Sequence, residues 1–191
     1  MKRDEFIRTA CTLGMCSFVG LALRAEDSAH AGQNVNPEID ELKWKLDFMR
    51  KRFAKLVGIL SANLDESTRK KVFESMGREC AKLFMDLTGK FKGNPEAFLE
   101  EIKKRWAKSA EYDEEAGRIR VVDKSNHCTC AFVDEQLTPP AFCDCTLGWQ
   151  KETYAMILGQ PVDAELEESI LRGGKQCVFR IQAVKSAAAP A

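Results

Sequence analysis

Two Cys-x-Cys pairs, Cys128-Thr129-Cys130 and Cys143-Asp144-Cys145, stand close together in the chain, with His127 directly before the first and Cys177 further on. Three chemistries suit such a set. Cys128, Cys130, Cys143 and Cys145 supply the four thiolates that tetrahedral zinc takes, with Cys177 or His127 able to replace one ligand. Six of the eight cysteines lie beyond residue 37, an even number that also suits disulfides. Free thiols are the third reading, with Cys143 or Cys145 as nucleophile and His127 as its acid/base.

These side chains need elements to hold them. Arg118 to Val122 has the alternation of a strand, Asp123 to Asn126 that of a turn, and Cys128 to Val133 is predicted to pair back as a hairpin. Residues two apart on a strand face the same way, so both thiols of the first pair would share one side. A helix is predicted from about Phe142 to Leu158, stopped by Gly159-Gln160-Pro161. That places Cys143 and Cys145 at a helix N-terminus, where backbone amides stabilise a thiolate and lower its pKa. Val162 to Ile170, a turn at Arg172 to Lys175, and Cys177 to Val184 make a second hairpin.

Upstream the pattern is helical. Ile39, Leu42, Leu46, Met49, Phe53 and Leu56 recur every three or four residues after Pro37, one apolar stripe of an amphipathic helix. Val72, Phe73, Met76, Cys80, Leu83 and Phe84 form a second stripe behind the capping candidates Asp65 and Ser67. A third helix opens at Asn94-Pro95-Glu96 and carries Phe98, Leu99, Ile102 and Trp106. Cys80, at core spacing, reads as a small hydrophobe. Gly77 costs about 1 kcal/mol against alanine inside a helix, which points to close approach by another element. Trp149 and Tyr154 on the cysteine helix are the candidate lining of an apolar ligand pocket, with Trp44, Phe98 and Trp106 as further aromatics that line it or fill the core.

The first 31 residues have the layout of an export signal. A charged head, Met1 to Arg8, precedes the uncharged stretch Thr9 to Leu23 and the small-x-small site Ala29-His30-Ala31. The head resembles a twin-arginine signal with lysine in place of the first arginine, and the stretch is shorter than the roughly 20 apolar residues that span a bilayer. The expected product starts near Gly32, is exported to the periplasm or beyond, and has no stable membrane span. Residues 32–185 are then one α+β domain of N-terminal helices on a small antiparallel sheet, and 186–191 a disordered tail. Basic and acidic residues balance at 29 each, which argues against a nucleic-acid partner. Arg69-Lys70-Lys71 and similar short basic runs read as solvated helix faces. The sequence leaves a homodimer open.

The run Cys143-Asp-Cys-Thr-Leu-Gly148-Trp149, then Gly159-Gln-Pro161, then Gly174-Lys-Gln-Cys177-Val-Phe179, resembles the 4-vinyl reductase domain. That small-ligand module also occurs in phenol-sensing regulators and is related in fold to trafficking-complex subunits. In the sensor members, the first and last cysteines bind zinc with a glutamate and another cysteine on the intervening strand. Cys143 and Cys177 match these positions, and the other two fall on Leu166 and Ser169. The resemblance implies a protein that binds zinc and a small organic ligand. A looser likeness to the L-2-amino-thiazoline-4-carboxylic acid hydrolase group implies the alternative, a thiol- or metal-dependent hydrolase of a small cyclic or amide C–N bond.

Overall fold

The computed structural model describes residues 36–184. The expected export signal and tail lie outside them. Within them the chain runs through α1 (Pro37–Asn63), α2 (Glu66–Lys82), the single turn α3 (Met85–Thr88), α4 (Pro95–Arg105), β1 (Ala107–Asp113), β2 (Arg118–Asp123), α5 (Cys143–Leu158), β3 (Val162–Glu168) and β4 (Val178–Ala183). No described helix is long and apolar enough to cross a membrane.

The helix starts follow local chemistry. Asp65 accepts from the Thr68 amide at 3.0 Å and Asn94 from the Ala97 amide at 3.0 Å, each quenching an amide that the first turn leaves unpaired. Gly159, at φ 67°, closes α5 in the left-handed conformation.

The four strands form an antiparallel sheet in the order β1-β2-β4-β3. Its inner face meets α4 and α5 in a core built from Phe98, Ile102, Ile119, Tyr154, Ile157 and Ile181. A second cluster, Val57, Phe73, Val133 and Phe142, joins α1 and α2 to the loop 124–139 and the start of α5.

Helices α2 and α5 cross with almost no space between their backbones. A Cβ on Gly77 would lie 1.8 Å from the Cys145 carbonyl oxygen, and one on Gly148 would lie 1.9 Å from that of Glu74. The close approach expected at Gly77 is thus to the cysteine helix. Around the crossing, Arg78 meets Glu152 at 3.1 Å, and the Lys151 ammonium sits 3.0 Å from both Glu74 and Asp163.

Two expectations are corrected. Cys128 to Val133 forms no strand; it lies in the irregular loop 124–139, and β2 pairs instead with β1, whose residues had suggested no strand. The Cys128 amide is taken by the Glu135 carboxylate rather than by a ladder. The α1 stripe does not face the core, because Ile39, Leu42, Leu46, Met49 and Leu56 are all exposed and the helix buries Ala54 and Val57.

Tyr154 is buried in the core with Phe98 against its ring, and its hydroxyl has no partner among the described residues. Burial holds the phenol far above its ordinary pKa. A buried hydroxyl left unpaired costs roughly 1–3 kcal/mol. Tyr154→Phe should therefore leave stability unchanged or raise it by about 1 kcal/mol in urea unfolding. A loss of 1 kcal/mol or more would mean that the hydroxyl is satisfied in solution.

Candidate functional site

The turn at the start of α5 separates two concavities. On one side Cys143 closes a small cavity of about 60 Å³, also lined by Cys128 and Cys130 from the loop 124–139, by Cys177 before β4, and by Leu166 and Ser169 from β3 and its end. Cys143 is buried, with its Sγ 3.0 Å from the Ser169 hydroxyl. The four positions singled out by the vinyl-reductase resemblance, Cys143, Leu166, Ser169 and Cys177, thus come together in space. Two thiols from a separate loop join them.

Burial dominates these thiols. It pushes Cys128 up to about 11 and Cys145 up to about 12, and it raises Cys80, Cys143 and Cys177 as well. At Cys143 the Ser169 hydroxyl and the Arg172 guanidinium oppose the rise without reversing it. The lowered pKa expected at the helix N-terminus is thereby corrected. Removing a thiolate from water costs more here than the helix amides return.

Cys145 does not line this cavity; it packs against the Val57, Phe73, Val133 and Phe142 cluster, where, after burial, Cys80 does most to raise its pKa. Among the described residues, no group of three or more histidine, cysteine, aspartate and glutamate side chains is disposed to hold a metal ion. The tetrathiolate of Cys128, Cys130, Cys143 and Cys145 is therefore not seen as a formed site among the described residues. All six described cysteines are free thiols.

His127 stands apart. It is exposed in the loop, with its Nδ1 3.1 Å from the Ser125 hydroxyl and 3.3 Å from the Asn126 side-chain oxygen, and it lines neither concavity. The Cys143–His127 pair of the hydrolase alternative is not formed; Ser169 holds the place beside the sulfur. Trp149 packs on Phe84 and Tyr154 on Phe98, and neither lines these two concavities. Glu165 and Glu167 pair with Arg180 on the outer face of the sheet, and the Glu168 carboxylate accepts from the Lys175 amide at 2.6 Å.

On the other side of the turn lies an open groove of about 590 Å³. Its walls are the start of α2 (Glu66, Arg69, Lys70), the start of α5 (Pro140, Ala141, Asp144, Leu147), β3 (Ala164, Glu165, Leu166) and Arg172. Leu166 lines both concavities.

The charges in the groove are unequally matched. Asp144, mostly buried, holds Arg172 at 2.9 Å, and Glu165 holds Arg180. Lys70 lies 3.9 Å from Glu74, which is closer to Lys151 at 3.0 Å. Arg69 makes no salt bridge among the described residues, and its Nε is buried without an acceptor. A guanidinium can only donate, so that N–H lacks, among the described residues, the acceptor it calls for. Nothing in the sequence signals this, since Arg69 sits in a basic run that resembles any solvated helix face.

A family model described as a family of unknown function (DUF6144) matches residues 51–188. The chain belongs to this family. No curated protein matches it. Among solved structures, it is similar to a trafficking protein particle complex subunit 3 from Naegleria fowleri covalently bound to palmitic acid, at 15% identity over 75% of this chain and 97% of that one, with a TM-score of 0.50. It also matches the phenol-responsive sensory domain of the transcription activator PoxR with phenol, at 13% identity over 71% and 76% of the two chains and a TM-score of 0.46. A vinyl-4-reductase family protein from Methanocaldococcus jannaschii matches at 13% identity over 81% and 85%, with a TM-score of 0.35. At such identities the likeness to the trafficking subunit concerns the fold, and it agrees with the α+β architecture read from the sequence. This member of the family keeps that fold while setting Leu166 and Ser169 beside its buried thiols.

Proposed function

We propose that the protein is a small-molecule-binding domain whose ligand carries an oxyanion, a carboxylate or a phosphate, and sits in the groove between α2, the start of α5 and β3. The buried, unpartnered Nε of Arg69 carries this reading. Size supports it too. Ligand sites usually enclose about 300–1,000 Å³, a range that includes the groove at about 590 Å³ and leaves out the cysteine cavity at about 60 Å³. Arg69 would receive the oxyanion, Lys70 would add charge at its edge, and Ala164, Leu147 and Leu166 would meet the apolar part. The trafficking subunit, with its palmitic acid, gives the fold a precedent for holding a small organic molecule.

The test is titration with acetate, benzoate and inorganic phosphate at constant ionic strength, followed by heteronuclear NMR or calorimetry. At least one probe should bind saturably in the micromolar to millimolar range. Arg69→Met should weaken it about tenfold or more, since a charge-assisted hydrogen bond contributes roughly 1.5–3 kcal/mol. Lys70→Met should cost only a few-fold. If no probe binds, or if the Arg69→Met protein binds as the parent does, the proposal fails.

A further inference from the structure

The first turn of α5 and the turn 169–174 are joined twice, once beside each concavity. Cys143 and Asp144 follow one another on the helix, yet Cys143 lines the thiol cavity and Asp144 the groove. The facing turn divides in the same way, with Ser169 and Leu171 in the cavity and Arg172 in the groove. On the cavity side the Cys143 Sγ lies 3.0 Å from the Ser169 hydroxyl. On the groove side the Arg172 guanidinium donates to the Asp144 carboxylate at 2.9 Å. Cys143, Asp144 and Ser169 are all buried.

The two contacts cannot change independently. The Ser169 carbonyl accepts from the Arg172 amide at 3.1 Å and the Gly174 amide at 2.8 Å, and the Gly173 amide donates to the Ile170 carbonyl at 2.9 Å. A Cβ on Gly174 would lie 2.9 Å from the Ser169 carbonyl oxygen, so the turn is packed onto itself and moves as a unit. Cys143 and Asp144 are fixed to each other by the helix. Drawing the turn away from α5 therefore lengthens both contacts at once, uncovering the Cys143 sulfur and parting the groove wall that Asp144 and Arg172 form. Local openings of this kind are the means by which a reagent reaches a buried group.

We propose that the groove and the Cys143 thiol are coupled through this turn, so that an oxyanion in the groove holds the turn closed over Cys143. The inference rests on the reading of the groove as an oxyanion site. Coupling between two sites is reciprocal. A group added to Cys143 displaces the Ser169 contact and must therefore weaken oxyanion binding.

The full chain is tested with iodoacetamide, from which the Cys143 sulfur displaces iodide; the S–C bond forms as the C–I bond breaks, and the thiol proton goes to the buffer. The probe is whichever of acetate, benzoate and inorganic phosphate binds in the titration. Timed labelling is read by mass spectrometry at Cys143 and Cys145, without the probe and at about ten times its Kd. A ligand that binds only the closed protein should slow Cys143 about tenfold at that concentration. Cys145, which lines neither concavity, should change by less than twofold. Ser169→Ala removes the cavity-side contact alone, since Ser169 does not line the groove. With unchanged circular dichroism, that protein should bind the probe at least threefold more weakly, and parent protein alkylated at Cys143 should do the same. If no probe binds, the oxyanion reading and the coupling fall together. If a probe binds and Cys143 reacts at its unliganded rate, or Cys145 slows as much as Cys143, the coupling alone is overturned. Parent-like affinity in the alkylated protein overturns it as well.

Discussion

Gly77→Ala and Gly148→Ala are each expected to destabilise the protein by at least about 3 kcal/mol. A Cβ at 1.8 or 1.9 Å from a carbonyl oxygen of the facing helix meets backbone, which cannot rotate aside as a side chain would. The helices must separate instead, and that loosens the contacts of Phe73 and Leu147 on either side of the crossing. Overpacking usually costs roughly 1–3 kcal/mol, and here the obstacle is rigid on both sides. Gly58 in α1 is the control, because nothing lies within 4 Å of the Cβ it would gain. Gly58→Ala should be neutral or stabilise by up to about 1 kcal/mol through helix propensity. Chemical unfolding of the three proteins checks the contrast. Gly77→Ala within 0.5 kcal/mol of the parent would show that α2 and α5 do not cross as described.

The buried thiols should be slow to alkylate. With its pKa pushed up from 9.0 to about 11, Cys128 is ionised to about one part in a thousand at pH 8, against about one in ten for an ordinary thiol. At about 12, Cys145 is ionised tenfold less again. Iodoacetamide should therefore modify them at least about 100-fold more slowly in the native protein than in urea. Mass spectrometry of timed digests gives the rates site by site. Cys128 or Cys145 reacting at the rate of an exposed thiol would contradict this arrangement. The same burial sets a sign on stability. A thiol whose folded pKa is raised lends stability that is fully present below its unfolded pKa near 9. That stability is lost as pH rises through the folded values towards 11 and 12. Unfolding free energy should thus fall above about pH 9, by an amount on the order of 3 kcal/mol once solvent screening of the half-buried groups is allowed for.

Local chemistry made much of the fold legible. The caps at Asp65 and Asn94, the stop at Gly159 and the switch to a two-residue period at Arg118 are each determined within a few residues, and the elements begin and end at or near those points. β1 was missed because Ala107-Lys-Ser-Ala-Glu-Tyr-Asp has no β-branched residue, and it is a strand only because β2 and α4 hold it. Of the cysteines singled out in the sequence, Cys128, Cys130, Cys143 and Cys177 line one cavity and Cys145 lies outside it. Their environment was not legible, because thiol ionisation depends on desolvation by Val133, Phe142, Leu171 and Phe179, which approach from four separate segments. Arg69 failed for a related reason. Only the tertiary fold buries its Nε, and nothing in Arg69-Lys70-Lys71 distinguishes that residue from its neighbours.

The order β1-β2-β4-β3 puts the latest strand in the middle of the sheet. Until residues 178–183 are in place, β2 and β3 have no shared neighbour, and each offers an open row of amides and carbonyls. Val121 must wait for Phe179, across a loop, a helix and a strand of intervening chain. Closure across so long a stretch is slow compared with helix formation. The helices are therefore expected to form before the sheet is sealed, and the interval between the two is when the open strand edges leave the chain most exposed to aggregation.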